Sequence, residues 1–121
     1  MRVSMLEIKA FIRINMVDKV IQALESAGIS NLTVIDVRSI WTAAKEAPRD
    51  LHYSLELAER YMNVAKLETL VREEDAERVM GLICNAARTG RPGDGIIYSV
   101  PAHDAVHIRT GRRGDAALGH E

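Results

Sequence analysis

Alternation of apolar and polar residues predicts three β-strands, because a strand turns successive side chains to opposite faces. The stretches are residues 3–13, 32–40 and 63–71, and the second is also rich in β-branched residues, which favour extended structure. In the third stretch, one face carries the more apolar side chains and is predicted to contact the core. That face consists of Ala65, Leu67, Thr69 and Val71.

Two stretches between the strands have helical periodicity, with apolar residues at positions i, i+3, i+4 and i+7. The first follows Asn15, which we expect to cap the helix, and ends at Gly28, a residue type that favours the C′ position. The second begins with the acidic residues 73–75, as the helix dipole favours, and is expected to end at Gly90. Its apolar stripe consists of Ala76, Val79, Met80, Ile83 and Ala87.

A fourth strand is predicted at residues 96–100, after which Pro101 turns the chain and residues 105–109 form a short extended segment. Residues 41–61 interrupt the pattern with small and polar residues and Pro48, which predicts a long exposed loop with a functional role. The order β-α-β, loop, β-α-β predicts an α+β ferredoxin-like fold, a four-stranded antiparallel sheet with both helices on one face. The other face then needs a partner, and self-association is the simplest cover.

Composition narrows the class of protein. The chain has 121 residues, which fits one domain spanning 1–121 with a C-terminal segment at 102–121. The 16 Lys and Arg balance 17 Asp and Glu, so charge gives no indication of a nucleic-acid partner. Cys84 is the only cysteine, which excludes a disulfide framework and favours a buried apolar role. Charge appears too early for a secretory signal, and no stretch approaches the roughly 18 apolar residues of a membrane span, so we expect a cytoplasmic protein.

A glycine-rich loop lies between the second predicted helix and the fourth predicted strand. It reads Thr-Gly-Arg-Pro-Gly-Asp-Gly over residues 89–95, and Arg109 follows 14 residues after Gly95. Glycines let consecutive main-chain N–H groups converge on an anion such as phosphate, and a nearby arginine can bind the same charge bidentately. A plain turn between helix and strand has the same composition, so the glycines alone leave both interpretations open.

The order of residues is more informative than the glycine spacing. Thr-Gly-Arg-x-Gly-Asp-Gly at 89–95, Ile-Ile-Tyr at 96–98 and Ile-Arg-Thr-Gly at 108–111 resemble the C-terminal signature of the PII signal-transduction family. The match is close over residues 86–118 and looser over the first βαβ unit. The resemblance implies a homotrimeric regulator, not an enzyme, that binds ADP, AMP or ATP in clefts between subunits. It also implies a long mobile loop that controls a target, often a membrane transporter.

The resemblance further assigns residues to the nucleotide site. Backbone amides of residues 93–95 would hold phosphates, and Arg109 of a neighbouring subunit would add a phosphate clamp. Each implied residue also fits a purely structural role, as an ordinary strand residue, a solvated carboxylate or an exposed edge charge. The residues implied for nucleotide binding are Thr33, Arg38, Glu68, Leu70, Gly93, Asp94, Gly95, His107 and Arg109.

Several positions depart from the family pattern. Ile96 stands where the family usually has lysine, and His107 replaces the first of two later arginines. Each lost cation removes charge-assisted hydrogen bonds worth about 1.5–3 kcal/mol, so ADP and AMP should lose less affinity than ATP. Ala43 and Val64 stand at the positions of the glutamine and lysine that hold 2-oxoglutarate in the family. This favours another signal, for example bicarbonate in inorganic-carbon uptake.

Two further hypotheses come from the remaining residues. His103 and His107 are two of four histidines and lie four positions apart, but that spacing does not bring side chains together in an extended segment. A metal-responsive trimer is therefore the weaker alternative. The changes at Ile96 and His107 also fit a structural trimer without nucleotide binding. No combination of nucleophile and base indicates an enzyme.

Overall fold

The computed structural model describes residues 4–37 and 64–119, so the predicted 41–61 loop and Arg38 lie outside the described residues. Short 3-10 turns at Ile14–Met16 and Glu73–Asp75 lead into the helices, and another occupies Gly114–Ala117. The helices and strands are β1 (Met5–Arg13), α1 (Val17–Ser26), β2 (Thr33–Val37), β3 (Val64–Arg72), α2 (Ala76–Ala87) and β4 (Gly95–Ala102).

The strands form one sheet in the order β2-β3-β1-β4, with every neighbouring pair antiparallel. This order places β1 and β3 at the centre and leaves β2 and β4 at the edges, as expected when two βαβ units interleave. The helices α1 and α2 contact each other and share one core with the sheet. The predicted four-stranded antiparallel sheet with two helices is confirmed for the part of the chain that the structure describes.

Alternation of side chains decides which face of the sheet the helices cover. On β1, Ile8, Ala10 and Ile12 are at most 1% exposed, whereas the residues between them are only partly buried. Burying a large aliphatic side chain contributes about 1.5–3 kcal/mol, so this inner face holds the domain together. The predicted inner face of β3 is buried in the same way, at Ala65, Leu67, Thr69 and Val71. The helices complete the core with Val20, Leu24, Val79 and Ile83.

The sequence predicted the cap residue correctly at the C-terminal end of α1 but not at its N-terminal end. Asn15 lies within the 3-10 turn that precedes α1 and does not cap the helix, so that prediction is wrong. Gly28 follows the helix with a φ of 83°. Its N–H donates to the Glu25 carbonyl and the Ile29 N–H donates to the Leu24 carbonyl, both at 3.0 Å. This is a Schellman C-cap, so the predicted role of Gly28 is confirmed.

The boundaries of α2 and β4 also differ from the prediction. α2 ends at Ala87 instead of Gly90, because Arg88 is already extended with a ψ of 130°. β4 continues through Pro101, which pairs with Leu6 of β1 instead of turning the chain. Proline is tolerated there because β4 is an edge strand, whose outer side needs no donor for a further strand.

The segment after β4 turns back on itself. Val106 forms a single antiparallel bridge with Arg113, and between them the Gly111 N–H donates to the His107 carbonyl at 2.7 Å. The prediction of an extended segment is therefore wrong at residues 108–109, which lie in the turn.

The sheet face opposite the helices carries aromatic and aliphatic side chains. The rings of Phe11 and Tyr98 stack with their centroids 6.4 Å apart, and Lys66 Nζ lies 5.7 Å from the Phe11 centroid. In the same row across the sheet, Ile35 is 39% exposed and Ile96 is 49% exposed. We call this surface the open face. A cluster of exposed apolar side chains marks a contact surface, so the open face fits the expected self-association.

Candidate ligand-binding site

The glycine loop between α2 and β4 is organised around the Asp94 carboxylate. Its Oδ2 accepts hydrogen bonds from the main-chain N–H groups of Thr89 and Gly90, both at 2.9 Å. Its Oδ1 accepts a further hydrogen bond from the Thr89 hydroxyl. A carboxylate that accepts several hydrogen bonds within five residues closes the loop on itself. The protein therefore sets the loop conformation by its own contacts.

These hydrogen bonds keep the pKa of Asp94 well below its usual range. The Thr89 hydroxyl contributes most, the Thr89 N–H comes next, and Arg13 and the Gly90 N–H add to them. Asp94 is consequently ionised at neutral pH, and its side chain is engaged inside the loop. The sequence prediction assigned the main-chain N–H of Asp94, not its side chain, to phosphate binding. The carboxylate helps to position that N–H.

Arg13, at the end of β1, is a loop contact that the sequence prediction missed. Its Nε donates to Asp94 Oδ1 at 3.0 Å and its Nη2 donates to the Pro92 carbonyl at 2.6 Å. One guanidinium thus ties two points of the loop to the sheet. The predicted ferredoxin-like strand order could have indicated this contact, because it places the end of β1 beside the start of β4.

Gly95 starts β4 where two main chains approach closely. It has a φ of 104°, and a Cβ added there would lie 1.7 Å from the Phe11 carbonyl oxygen. No other residue fits without moving β1 or β4. Gly95 is therefore required by the fold itself, whatever the loop binds.

Thr33 and Glu68 are direct partners across β2 and β3. Glu68 Oε1 lies 2.9 Å from Lys66 Nζ, and the hydrogen bond from Lys66 lowers the pKa of Glu68. Lys9 and Tyr98 continue the same row across the sheet. The open face therefore presents a hydroxyl, a carboxylate, an ammonium and a phenol in one row, which is a set of groups able to bind a polar ligand.

Leu70 lies two residues beyond Glu68 on β3 and is partly buried. Its main-chain N–H and C=O both hydrogen-bond the Asn31 side chain at 3.0 Å. The structure thus brings together Thr33, Glu68 and Leu70, which the resemblance assigned to the base of a nucleotide.

His107 and Arg109 lie in the turn that follows β4. The Thr110 N–H donates to His107 Nδ1 at 3.3 Å, so this ring nitrogen is engaged within the turn. Arg113 donates to the Asp104 carboxylate at the base of the turn, which is the main reason why the pKa of Asp104 is lowered. Arg109 is exposed near the tip. The turn therefore presents Arg109 at the surface, two residues from a histidine held by the turn itself.

The site residues form two separate groups within one chain. Thr33 lies on the β2 edge, whereas Gly95 starts the strand at the opposite edge. Three strand spacings separate these edges, or about 14 Å. The groups are also offset along the strands, because the Gly95 row crosses β2 at Asp36 and not at Thr33. A single chain therefore does not gather the base residues and the glycine loop around one small ligand.

A cleft of about 550 Å³ lies next to the glycine loop, between α2 and the ends of β1 and β4. Its lining includes Met80, Cys84, Arg88, Gly95 and Ile97. Arg88 Nη2 lies 3.1 Å from Cys84 Sγ, and the thiol is half-buried. The base residues Thr33, Glu68 and Leu70 do not line this cleft.

Within residues 4–37 and 64–119, no group of three His, Cys, Asp or Glu side chains is placed to hold a metal ion. His52 and His120 lie outside that range. In the same part of the chain, every helix is too short or too polar to cross a lipid bilayer.

The fold and the loop together define a ferredoxin-like domain with a fixed glycine loop at the β4 edge of its sheet and a row of polar side chains that crosses the sheet from Thr33 on β2. The family model described as "Nitrogen regulatory protein P-II" matches residues 5–112. The chain belongs to this family, the PII signal-transduction regulators, as its C-terminal signature predicted.

Individual relatives agree. "Nitrogen regulatory protein P-II 1" of Methanothermobacter thermautotrophicus is 38% identical over 117 residues, covering 95% of this chain and 98% of that protein. "Nitrogen regulatory protein P-II" of Azospirillum brasilense is 32% identical over 114 residues, covering 94% of this chain and all of that protein. A homologue from Arabidopsis thaliana is 34% identical over 112 residues, or 92% of this chain. The chain spans only 56% of that plant protein and 52% of its rice counterpart.

A solved structure is similar over nearly the whole fold. The crystal structure of Arabidopsis thaliana PII bound to citrate superposes with a TM-score of 0.80 at 28% identity, covering 99% of this chain and 94% of that chain. The ferredoxin-like fold predicted from the order of elements is thus also the fold of a PII protein.

Proposed function

We propose that the protein is a cytoplasmic PII-type regulator that assembles as a homotrimer and binds adenine nucleotides in the clefts between subunits. One observation carries the proposal: the residues implied for the base lie on β2 and β3, whereas the glycine loop implied for the phosphates leads into β4 at the far edge of the sheet. A ring of identical copies sets the β2 edge of one copy beside the β4 edge of the next. Each junction then combines Thr33 and Glu68 of one copy with the glycine loop of the next.

The open face supports assembly of this kind. Its exposed aliphatic and aromatic side chains would be removed from water when three sheets pack around a common axis, at about 25 cal/mol per Å² of apolar surface. The opposite face is already covered by α1 and α2. The sheet therefore has one face for its own core and one face for the other subunits.

The glycine loop supports anion binding at the subunit junction. Asp94 and Arg13 hold the loop in one conformation, so the main-chain donors of residues 93–95 need little ordering when a phosphate binds. Arg109 of the neighbouring subunit would supply the cationic contact. Ile96 and His107 provide no fixed positive charge where the family has lysine and arginine. We therefore propose that ADP and AMP bind in preference to ATP.

Regulation would follow from the segment at 41–61. A bound nucleotide selects those arrangements of the segment that contact it favourably, and the change in target affinity is limited by that difference. The target class we propose is a membrane transporter, and the co-effector is a small anion such as bicarbonate, in a regulator of inorganic-carbon uptake. The similar Arabidopsis PII structure contains citrate, which is itself a small anion. A structural or metal-responsive trimer is the alternative.

Isothermal titration calorimetry with AMP, ADP and ATP tests the proposal. We expect dissociation constants for ADP and AMP in the micromolar range, which corresponds to a binding free energy of about −8 kcal/mol. ATP should bind more weakly. Arg109→Ala should weaken ADP binding about tenfold or more, because it removes a charge-assisted phosphate contact.

Arg78→Ala is the matched control, since Arg78 is an exposed arginine of α2 that contacts Ala27 and Asp75, away from the proposed site. It should leave the dissociation constant of ADP unchanged. Heats no larger than dilution for all three nucleotides would refute nucleotide binding. A rise in melting temperature with Zn²⁺ would then favour the metal-responsive alternative.

A further inference from the structure

The Asn31 side chain hydrogen-bonds both main-chain polar groups of Leu70, its N–H and its C=O. Asn31 lies two residues before Thr33 and therefore opposite Leu70, where the main-chain pairing of β2 with β3 has already ended. The Leu70 N–H donates to Asn31 Oδ1 at 3.0 Å, and Asn31 Nδ2 donates to the Leu70 carbonyl at 3.0 Å. The donor and the acceptor on Leu70 also fix which end of the carboxamide is oxygen.

This carboxamide has the hydrogen-bonding pattern of an adenine edge. In asparagine, one carbon carries an acceptor oxygen and an NH₂ donor. In adenine, C6 carries the N6 amino donor and is bonded to the acceptor N1, so the two groups have almost the same spacing. A main-chain N–H and C=O that fit the carboxamide therefore also fit the adenine edge.

The Thr69 hydroxyl holds the main chain of Asn31 and also lies 3.1 Å from its side-chain Oδ1. The Thr69 hydroxyl donates to the Asn31 carbonyl at 2.6 Å, and Thr69 is only 3% exposed. Rotation of the Asn31 side chain alone would thus uncover Leu70 while the chain stays in place. Asn31 is partly exposed, so its carboxamide can exchange these two hydrogen bonds for water.

We propose that Asn31 is a built-in competitor for the adenine base: the base reaches the Leu70 peptide group only by displacing the carboxamide. The inference rests on the proposed adenine site at Thr33, Glu68 and Leu70. Displacement lowers the affinity for AMP, ADP and ATP by the same factor, because the base is common to all three. This distinguishes the effect of Asn31 from that of the phosphate contacts, whose contribution changes with the number of phosphates.

Titration of Asn31→Gly with AMP, ADP and ATP tests the proposal. Removing the competitor should tighten binding of all three by a common factor of roughly tenfold, since the hydrogen bonds of the Asn31 side chain with Leu70 no longer have to be broken. Ser30→Gly is the matched control, because it adds the same backbone freedom one residue earlier and removes only a side-chain contact with the Gly119 carbonyl. It should leave all three affinities unchanged.

A measurement on the unaltered chain covers the case in which Asn31→Gly does not fold. The two side-chain amide protons of Asn31 should exchange with water faster when the chain is saturated with ADP, as seen by NMR, while the Leu70 N–H stays protected. Continued protection of those protons would overturn the inference. So would unchanged or weaker binding of ADP to Asn31→Gly when the parent chain binds ADP, and nucleotide binding itself would then stand. If neither chain binds any of the three nucleotides, the inference falls together with the proposed function.

Discussion

Gly95 is the residue at which the fold leaves the least space. A Cβ at this position would lie 1.7 Å from the Phe11 carbonyl oxygen, and the φ of 104° is unfavourable for any other residue. Gly95→Ala should therefore lower the free energy of unfolding by at least about 2 kcal/mol, through strain and displacement of β4. Urea unfolding followed by circular dichroism measures this change.

Gly81 provides the matched control for that substitution. It lies inside α2, and a Cβ added there meets nothing within 4 Å. Gly81→Ala should raise the free energy of unfolding by about 0.5–1 kcal/mol, because alanine loses less backbone entropy in a helix. Equal urea midpoints for the two alanine variants would contradict the steric account of Gly95.

Asp94 makes stability depend on pH in a defined direction. Its pKa in the folded chain lies below the value of about 3.9 expected for the unfolded chain. The stabilisation from the ionised carboxylate is therefore complete above about pH 4 and is lost as the pH falls toward the folded pKa. Asp94→Asn should unfold at lower urea than the parent chain, by the same margin at pH 7 and pH 5 and by a smaller margin at pH 3.

Asp36→Asn is a suitable comparison, because Asp36 is an exposed aspartate on β2. The difference in urea midpoint between Asp36→Asn and the parent chain should be small at pH 7, pH 5 and pH 3. A margin for Asp94→Asn that grows on acidification would show that the loop does not depend on the ionised carboxylate.

The residues of the glycine loop could be identified from the sequence, but their contacts could not. The glycines and Asp94 of the loop could be singled out from their order alone. That Gly95 is required by the Phe11 carbonyl, and that Asp94 accepts hydrogen bonds from Thr89 and Arg13, depends on distances between strands. Arg13 itself lies 81 positions from Asp94, and no local pattern connects them.

At the scale of elements, β2 and β3 are joined beyond their ladder by the Thr69 hydroxyl. Thr69 is 3% exposed and donates to the Asn31 carbonyl at 2.6 Å. Thr69→Val keeps the shape and leaves that carbonyl without its partner, so the free energy of unfolding should fall by about 1–2 kcal/mol. Thr33→Val, at an exposed position of β2, should change it by less than about 0.5 kcal/mol. Urea unfolding of both valine variants would contradict this account if their midpoints moved equally.

Periodicity predicted the strands and helices well, since burial of one face is a local property of the sequence. Local signals at the ends of elements were less reliable. Asn15 has the right chemistry for an N-cap, but the chain enters α1 through a 3-10 turn. Pro101 has the right chemistry for a turn, but the edge position of β4 lets it continue the strand. For Pro101, the position of β4 in the sheet determined the outcome.

At the scale of the whole molecule, the open face should hold the proposed trimer together. Ile35 is 39% exposed on this face, in one row with Lys66, Phe11 and Ile96. Ile35→Glu should dissociate the trimer, because assembly would then remove carboxylates from water in place of apolar side chains. Size-exclusion chromatography with light scattering should give the mass of one chain, 13.4 kDa, for the variant and three times that mass for the parent.

Val34 is the neighbouring residue and points to the opposite side of β2, since its cross-strand partner is the buried Leu67. It is 42% exposed, close to the value for Ile35. Val34→Glu should leave the mass of the assembly unchanged. A parent chain that elutes with the mass of one protomer would refute the trimer directly.

Periodicity and residue order are local properties, so they were enough to predict the order of the elements, the inner face of β3 and the family signature at residues 89–111. The sequence also indicated which residues to examine for a ligand. The three-dimensional arrangement was needed to show that Arg13 fixes the glycine loop and that the Asn31 side chain hydrogen-bonds both main-chain polar groups of Leu70. It was also needed to show that the base residues lie on β2 and β3 while the loop leads into β4 at the far edge of the sheet. These facts depend on which strands are neighbours and in which register, and contacts between residues far apart in the chain leave no local pattern.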